Sequence, residues 1–153
     1  MSALSHSVLP LQPHVSGQCL CGKVKIKATQ VTLQVGVCHC LYCQKWDGGP
    51  LFTLDAGSEV KFDGACFVSC YHSSDWAERG FCNNCGTHLF YRLKHNSQYF
   101  IPVGLFEPLK DLVFDHQIFI EQKPAWYCFA NQTKELTGAE VFAQFATESE
   151  RSG

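Results

Sequence analysis

The sequence predicts a mainly β domain, a sandwich of short antiparallel strands held together by bound metal, with a short helix near its C-terminal end. Three observations carry this expectation. Apolar and polar residues alternate in short runs separated by Gly, Asp, Asn or Pro, which is the pattern of strands with one face buried. A helical period is confined to one stretch near the end of the chain. Ten cysteines fall into tight sets, CxC, CxCxxC and CxxC, where sulfurs converge on a point rather than pair across a scaffold. With 153 residues, 46% of them hydrophobic, the chain is long enough for one domain with a core and too short for two. We expect an arm at 1–16, a single domain at 17–146 and a tail at 147–153.

Taken in order, residues 1–16 mix Ser, Pro and His with isolated apolar residues and read as poorly ordered. In 23–28, Val24, Ile26 and Ala28 alternate with Lys23, Lys25 and Lys27; in 31–37 the odd positions Val31, Leu33, Val35 and Val37 are apolar. Both are half-buried strands, the lysines marking a wet face and the second strand delivering the chain to Cys38. Gly48-Gly49-Pro50 breaks the pattern ahead of a strand at 51–54. Further strands are expected at 60–62, 66–71, 88–93, 99–103, 113–121 and 126–129. Thr137-Gly138-Ala139-Glu140 has the spacing of a capping box, and Val141, Phe142, Phe145 and Ala146 give the helix that follows an apolar face.

The cysteines carry the chemistry. Residues two apart in a strand point the same way, so Cys19 and Cys21 can close on one metal. Cys82-Asn83-Asn84-Cys85-Gly86 reads as a zinc knuckle, a tight turn followed by the glycine that tolerates left-handed backbone. Joining the two pairs closes a loop of about sixty residues, at a cost of roughly 3.6 kcal/mol plus a constant. Structural zinc in small peptides contributes on the order of 10–16 kcal/mol, so the metal prevails. The middle set, Cys38-His39-Cys40-Leu41-Tyr42-Cys43, offers three thiols, and His39 between two of them should point away. Its readings are a zinc ion with an open fourth position, a zinc ion closed by a remote His72, His88 or His116, or buried thiols without metal. Trp46 follows this turn closely enough to line the site. Cys66, Cys70 and Cys128 have no partner at ligand spacing and read as small buried hydrophobes. His72, Ser73 and Ser74 lack a nearby acid to form a triad and read as a strand end.

The formal charge is −2, and thiolates on zinc would make it more negative. With basic residues scattered, a nucleic-acid partner is not expected. No stretch reads as a membrane span, and the N-terminus has neither the basic start nor the apolar run of a secretory signal. Clustered thiols suit a reducing compartment, and the cytoplasm is the expected location.

With these residues in view, the chain resembles the glutathione-dependent formaldehyde-activating enzyme family, also called the CENP-V/GFA domain family. The matching pieces are Gly17-Gln18-Cys19-Leu20-Cys21-Gly22, Cys38-His39-Cys40-Leu41-Tyr42-Cys43-Gln44-Lys45 and Arg79-Gly80-Phe81-Cys82-Asn83-Asn84-Cys85-Gly86-Thr87, with His116 and Lys123-Pro124-Ala125-Trp126 beyond them. Coverage runs over about 17–129. The resemblance implies an Mss4-like fold and two zinc ions: a structural one on Cys19, Cys21, Cys82 and Cys85, and a catalytic one on Cys38, Cys40 and Cys43. It also implies glutathione as thiol substrate, formaldehyde as electrophile, and S-hydroxymethylglutathione synthesis, formally carbon–sulfur lyase chemistry. The expected partners are a small thiol and a small aldehyde, with a second copy of the chain as homodimer partner. Trp46, His116 and Trp126 are the candidate substrate-lining residues. The opposing reading is a non-enzymatic zinc scaffold, a role that Mss4-like folds also serve.

Overall fold

In the computed structural model, which describes residues 11–12 and 14–151, the chain runs through β1 (Leu11–Gln12), β2 (Val15–Gln18), β3 (Lys25–Ala28), β4 (Val31–Thr32), β5 (Gln34–Cys38), α1 (Leu41–Asp47), β6 (Leu51–Asp55) and β7 (Val60–Asp63). It continues through β8 (Val68–Tyr71), β9 (Ala77–Cys82), β10 (His88–Leu93), β11 (Tyr99–Pro102), β12 (Val113–Ile118), β13 (Lys134–Leu136) and α2 (Gly138–Arg151), with short 3-10 turns at Ala65–Phe67, Val103–Leu105 and Ile120–Gln122. The expected mainly β class holds. An eight-stranded open sheet, ordered β13-β12-β5-β6-β11-β10-β9-β8, is joined by a three-stranded sheet β2-β3-β7 and the pair β1-β4.

The small sheet covers a face of the large one because its alternation is strict. Ile26 and Ala28 of β3 are fully buried while Lys25 and Lys27 stay in water, as the alternating lysines foretold. Phe62 of β7 reaches across to Phe90 and Tyr99, with ring centroids 5.2 and 5.6 Å apart. Val15, Val24, Leu54, Leu89 and Ile101 complete the core between the layers. In β5, Val35, Gly36 and Val37 are buried in succession, as in a strand covered on both faces.

β5 is also where the structure departs most from expectation. It pairs antiparallel with β6 but parallel with β12, and β12 pairs parallel with β13. Gly36 is required there, since any Cβ would overlap the His116 ring lying across it. Asp115 is the extra residue where the β12 register shifts between Phe114 and His116.

Other boundaries are corrected. Within the arm expected at 1–16, β1 pairs with β4 and β2 with β3, and Val15 is buried; residues 1–10 and 13 lie outside the described residues. The expected tail begins too early, because nothing between Gly138 and Arg151 breaks α2. The single strand expected at 31–37 is two, since β4 serves β1 while β5 enters the large sheet. The strand expected at 113–121 ends at Ile118 and gives way to a 3-10 turn. No strand forms at 126–129, where Lys123 Nζ donates to the carbonyls of Pro124 and Tyr127 and ties the backbone into a loop. Cys66, Cys70 and Cys128 are exposed, not buried: they sit in a 3-10 turn, on the edge strand β8 and in that loop. Among the described residues, no helix is long and apolar enough to cross a membrane.

Candidate metal centres

Two groups of thiols converge. Cys19, Cys21, Cys82 and Cys85 form the first, their sulfurs all within 4.8 Å of one another. Cys19 and Cys21 are not tongs on a strand, as expected; they flank a turn beyond β2, closed by Gly22 N–H donating to the Cys19 carbonyl at 3.0 Å. The knuckle forms as read, with Gly86 at φ +79° and its N–H donating to the Cys82 carbonyl at 2.8 Å. Thr87 links the halves by accepting from Leu20 N–H at 3.1 Å and contacting Cys85 Sγ at 3.1 Å. That hydroxyl, with the Thr87 backbone, holds the Cys85 thiol down at about 5. Contacts with Asn84 and then the Lys23 backbone lower Cys21, while burial raises Cys82. Four thiolates around a zinc ion lie about 3.8 Å apart. The separations of 3.5 Å for Cys19–Cys21 and 3.8 Å for Cys21–Cys82 fit such an ion.

The second group is Cys38, Cys40 and Cys43, again with sulfurs within 4.8 Å. Two successive elements present them, β5 and α1. Cys38 ends β5, paired with Leu51 on one side and Ile118 on the other. Cys40 is the N-cap of α1, its sulfur accepting the Cys43 N–H at 3.3 Å, and Cys43 lies in the first turn. The loop is pinned to the segment after β12: Gln44 Nε2 donates to the carbonyls of His39 and Gln122, and Leu41 N–H donates to Gln122 Oε1 at 2.9 Å. Cys43 is buried, but Cys38 and Cys40 are only half-buried, so solvent reaches the group. Hydrogen bonds from Cys38 and Cys43 draw the Cys40 thiol down to about 2, whereas the contacts of Cys38 with Cys40 and then Cys43 push Cys38 well above the thiol range. For Cys43 the Cys38 contact acts downward, but Cys40 and burial outweigh it and leave the thiol at about 11.

His39 points away from the thiols, as expected. It is fully buried, with Nε2 donating to Gln117 Oε1 at 2.8 Å and Nδ1 2.9 Å from the Tyr127 hydroxyl. None of the remote histidines joins the trio. His72 faces Glu78, His88 stacks on Trp46 at 3.9 Å and faces Asp47, and His116 pairs with Asp115. Trp46 connects to the group through Arg79, whose guanidinium carbon lies 4.9 Å from its ring. Trp126 is 78% exposed and packs on Tyr127.

Sequence reasoning passed over Arg79. It is buried on β9, with Nη1 and Nη2 at 3.8 and 3.7 Å from Cys43 Sγ and a face on Tyr91, whose phenol burial raises to about 12. The available sign was an arginine in a strand segment just ahead of Cys82, at a position two after Ala77 and so on the same face. The anchors Gln44, Gln117 and Gln122 gave no sign, because their work is to hold backbone brought together from opposite ends of the domain.

Known proteins extend the picture. An uncharacterized lyase of Schizosaccharomyces pombe is 35% identical over 130 residues, covering 84% of this chain and 95% of that protein. A crystal structure of a Rhodobacter sphaeroides protein aligns with a TM-score of 0.54 at 22% identity, over 63% of this chain and 91% of the other, a likeness of fold. The model of the glutathione-dependent formaldehyde-activating enzyme family matches residues 14–122. That span takes in both thiol groups and Gln122, the residue that anchors the three-thiol loop, and on it the chain belongs to this family.

Proposed function

We propose that the protein is a zinc-dependent enzyme that adds glutathione or a similar small thiol to a small aldehyde such as formaldehyde, as a carbon–sulfur lyase acting in the synthetic direction. The observation that carries this reading is the number of donors. Cys38, Cys40 and Cys43 converge without a fourth His, Cys, Asp or Glu among the described residues, whereas the other group has four. Three protein ligands with an open position characterise reactive zinc, and four thiolates characterise structural zinc. We therefore assign the structural ion to Cys19, Cys21, Cys82 and Cys85 and the catalytic ion to Cys38, Cys40 and Cys43. The family and the lyase named in Schizosaccharomyces pombe support the reaction class.

Zinc at the three-thiol group would lower the pKa of an arriving thiol, so that its sulfur is nucleophilic at neutral pH. The chain's own residues supply access and position. Cys43 forms the buried floor, the half-buried Cys38 and Cys40 face the entry, and Gln44 and Gln122 hold the loop in place. In the addition, the thiolate sulfur attacks the carbonyl carbon, the C=O π pair moves to oxygen, and the proton lost by the thiol ends on that oxygen. The product is a hemithioacetal, and nothing is oxidised or reduced. Trp46, which shares Arg79 with Cys43, is the best-placed substrate-lining candidate; His116 pairs with Asp115, and the exposed Trp126 packs on Tyr127. We place the protein in the cytoplasm, where its thiols stay reduced.

Zinc-edge X-ray absorption with and without glutathione, combined with exchange spectroscopy of the formaldehyde adduct, tests the proposal. We expect a sulfur ligand added to the three-thiol zinc and faster exchange of the adduct. A zinc ion already bound by four protein ligands and unchanged by thiol would overturn the enzyme reading in favour of a scaffold. A thiol-bound zinc without faster exchange would reject formaldehyde alone.

A further inference from the structure

We infer that Arg79 is a positioning residue for the thiol: a fixed, buried countercharge that allows the Cys38–Cys40–Cys43 centre to accept an anionic ligand, an inference that rests on the thiol-binding reading above. Arg79 is 4% exposed, and a charge so placed needs an anionic partner. A carboxylate is the usual one, yet among the described residues no Asp or Glu pairs with Arg79. Its strand neighbour Glu78 is held by Arg92 at 2.6 Å and faces His72. Both terminal nitrogens instead face Cys43 Sγ, at 3.8 and 3.7 Å. The guanidinium is held by the Trp46 and Tyr91 rings, each 4.9 Å from its central carbon, so it cannot swing away to water.

The charges explain why a cation belongs there. A divalent metal on three thiolates is a net anion, which repels a fourth thiolate; the guanidinium brings the centre to neutrality. An apolar side chain would fill the same slot without the cost of burying a charge, so packing alone does not call for arginine. Among the described residues, Arg79 is the one cationic side chain hydrogen-bonded to the three thiols, and Lys45 in the last turn of α1 is exposed.

The test uses full-length protein loaded with cobalt(II), whose thiolate charge-transfer absorption reports each sulfur added. Two probes are titrated: 2-mercaptoethanol, which carries no charge besides its thiolate, and imidazole, which binds neutral. Loss of one nearby charge in a partly desolvated site should weaken thiol binding in Arg79→Gln by roughly 10- to 100-fold and leave imidazole within about threefold. Arg79→Lys keeps the charge but not the planar stacking, and should hold thiol affinity within about threefold of wild type. Equal thiol affinity in Arg79→Gln and wild type would overturn the countercharge, as would parallel loss of both probes. Should Arg79→Gln fail to fold, Arg79→Lys decides, because lost thiol affinity there would assign the residue a packing role. Wild-type protein that takes up no thiol would bring down the thiol reading itself, a result distinct from failure of the countercharge alone.

Discussion

His39 shows how a residue can stand between two metal-ligand candidates and serve the backbone instead. Its ring bridges Gln117, which in turn donates to Thr133, and Tyr127, so one side chain ties the three-thiol loop to β12 and to the loop after it. His39→Leu would leave the buried Gln117 Oε1 and the half-buried Tyr127 hydroxyl without their shared partner, and we expect about 1–3 kcal/mol of lost stability in a denaturant melt, with both cysteine groups intact in sequence. A change under about 0.5 kcal/mol would show that the network carries no stability. At this scale the sequence was readable where local geometry decides. Alternation around His39 turned it from Cys38 and Cys40 without any tertiary knowledge. Arg79 was not readable in that way, because its meaning comes from Cys43, Trp46 and Tyr91, all distant in the chain.

Among elements, α1 is the least legible and the most consequential. Seven residues give too few turns to establish a period, and its N-cap is a cysteine rather than one of the usual capping residues. The capping box of α2 was legible because its chemistry is local: Thr137 Oγ1 accepts from Glu140 N–H at 3.2 Å, while Gly138 N–H donates to Glu121. Its apolar face is narrower than the pattern suggested, with Val141 buried and Phe142 half in water against Trp76 and Phe119. Strand positions were legible from alternation, but the direction of pairing was not, since a period of two is the same in parallel and antiparallel ladders. Gln122→Ala tests the anchoring of α1. Removing the acceptor for Leu41 N–H should cost about 1 kcal/mol and loosen the three-thiol group, read as faster metal transfer to a chelator from that group only. Equal transfer from both groups would deny the anchor.

For the molecule as a whole, the structural ion proposed for the four-thiol group would matter most to stability, because it would close the long loop between Cys21 and Cys82 and join β2 and its turn to β9. Cys82→Ser should leave the protein unfolded or insoluble, whereas Cys40→Ser should melt as a folded domain that has lost the second metal. Thermal melts in the opposite order would exchange the roles of the two groups. The cysteine spacing made the three-thiol group and each pair of the four-thiol group legible, since thiols within a few residues need only a turn to converge, and two pairs with two ligands each called for one another. The sheet that frames them was not legible, because β12 reaches β5 from far along the chain. That separation has a consequence for the order in which the protein is made. Translation completes the four-thiol group at Cys85, well before β12 exists to hold β5 or Gln122 to hold the loop. On the zinc assignment proposed above, the nascent chain would gain its stabilising metal first and hold its reactive one firmly last, once β12 and Gln122 are in place. A chain stopped after Leu112 should retain about one zinc ion rather than two, and equal metal content in the two lengths would reject this sequence of assembly.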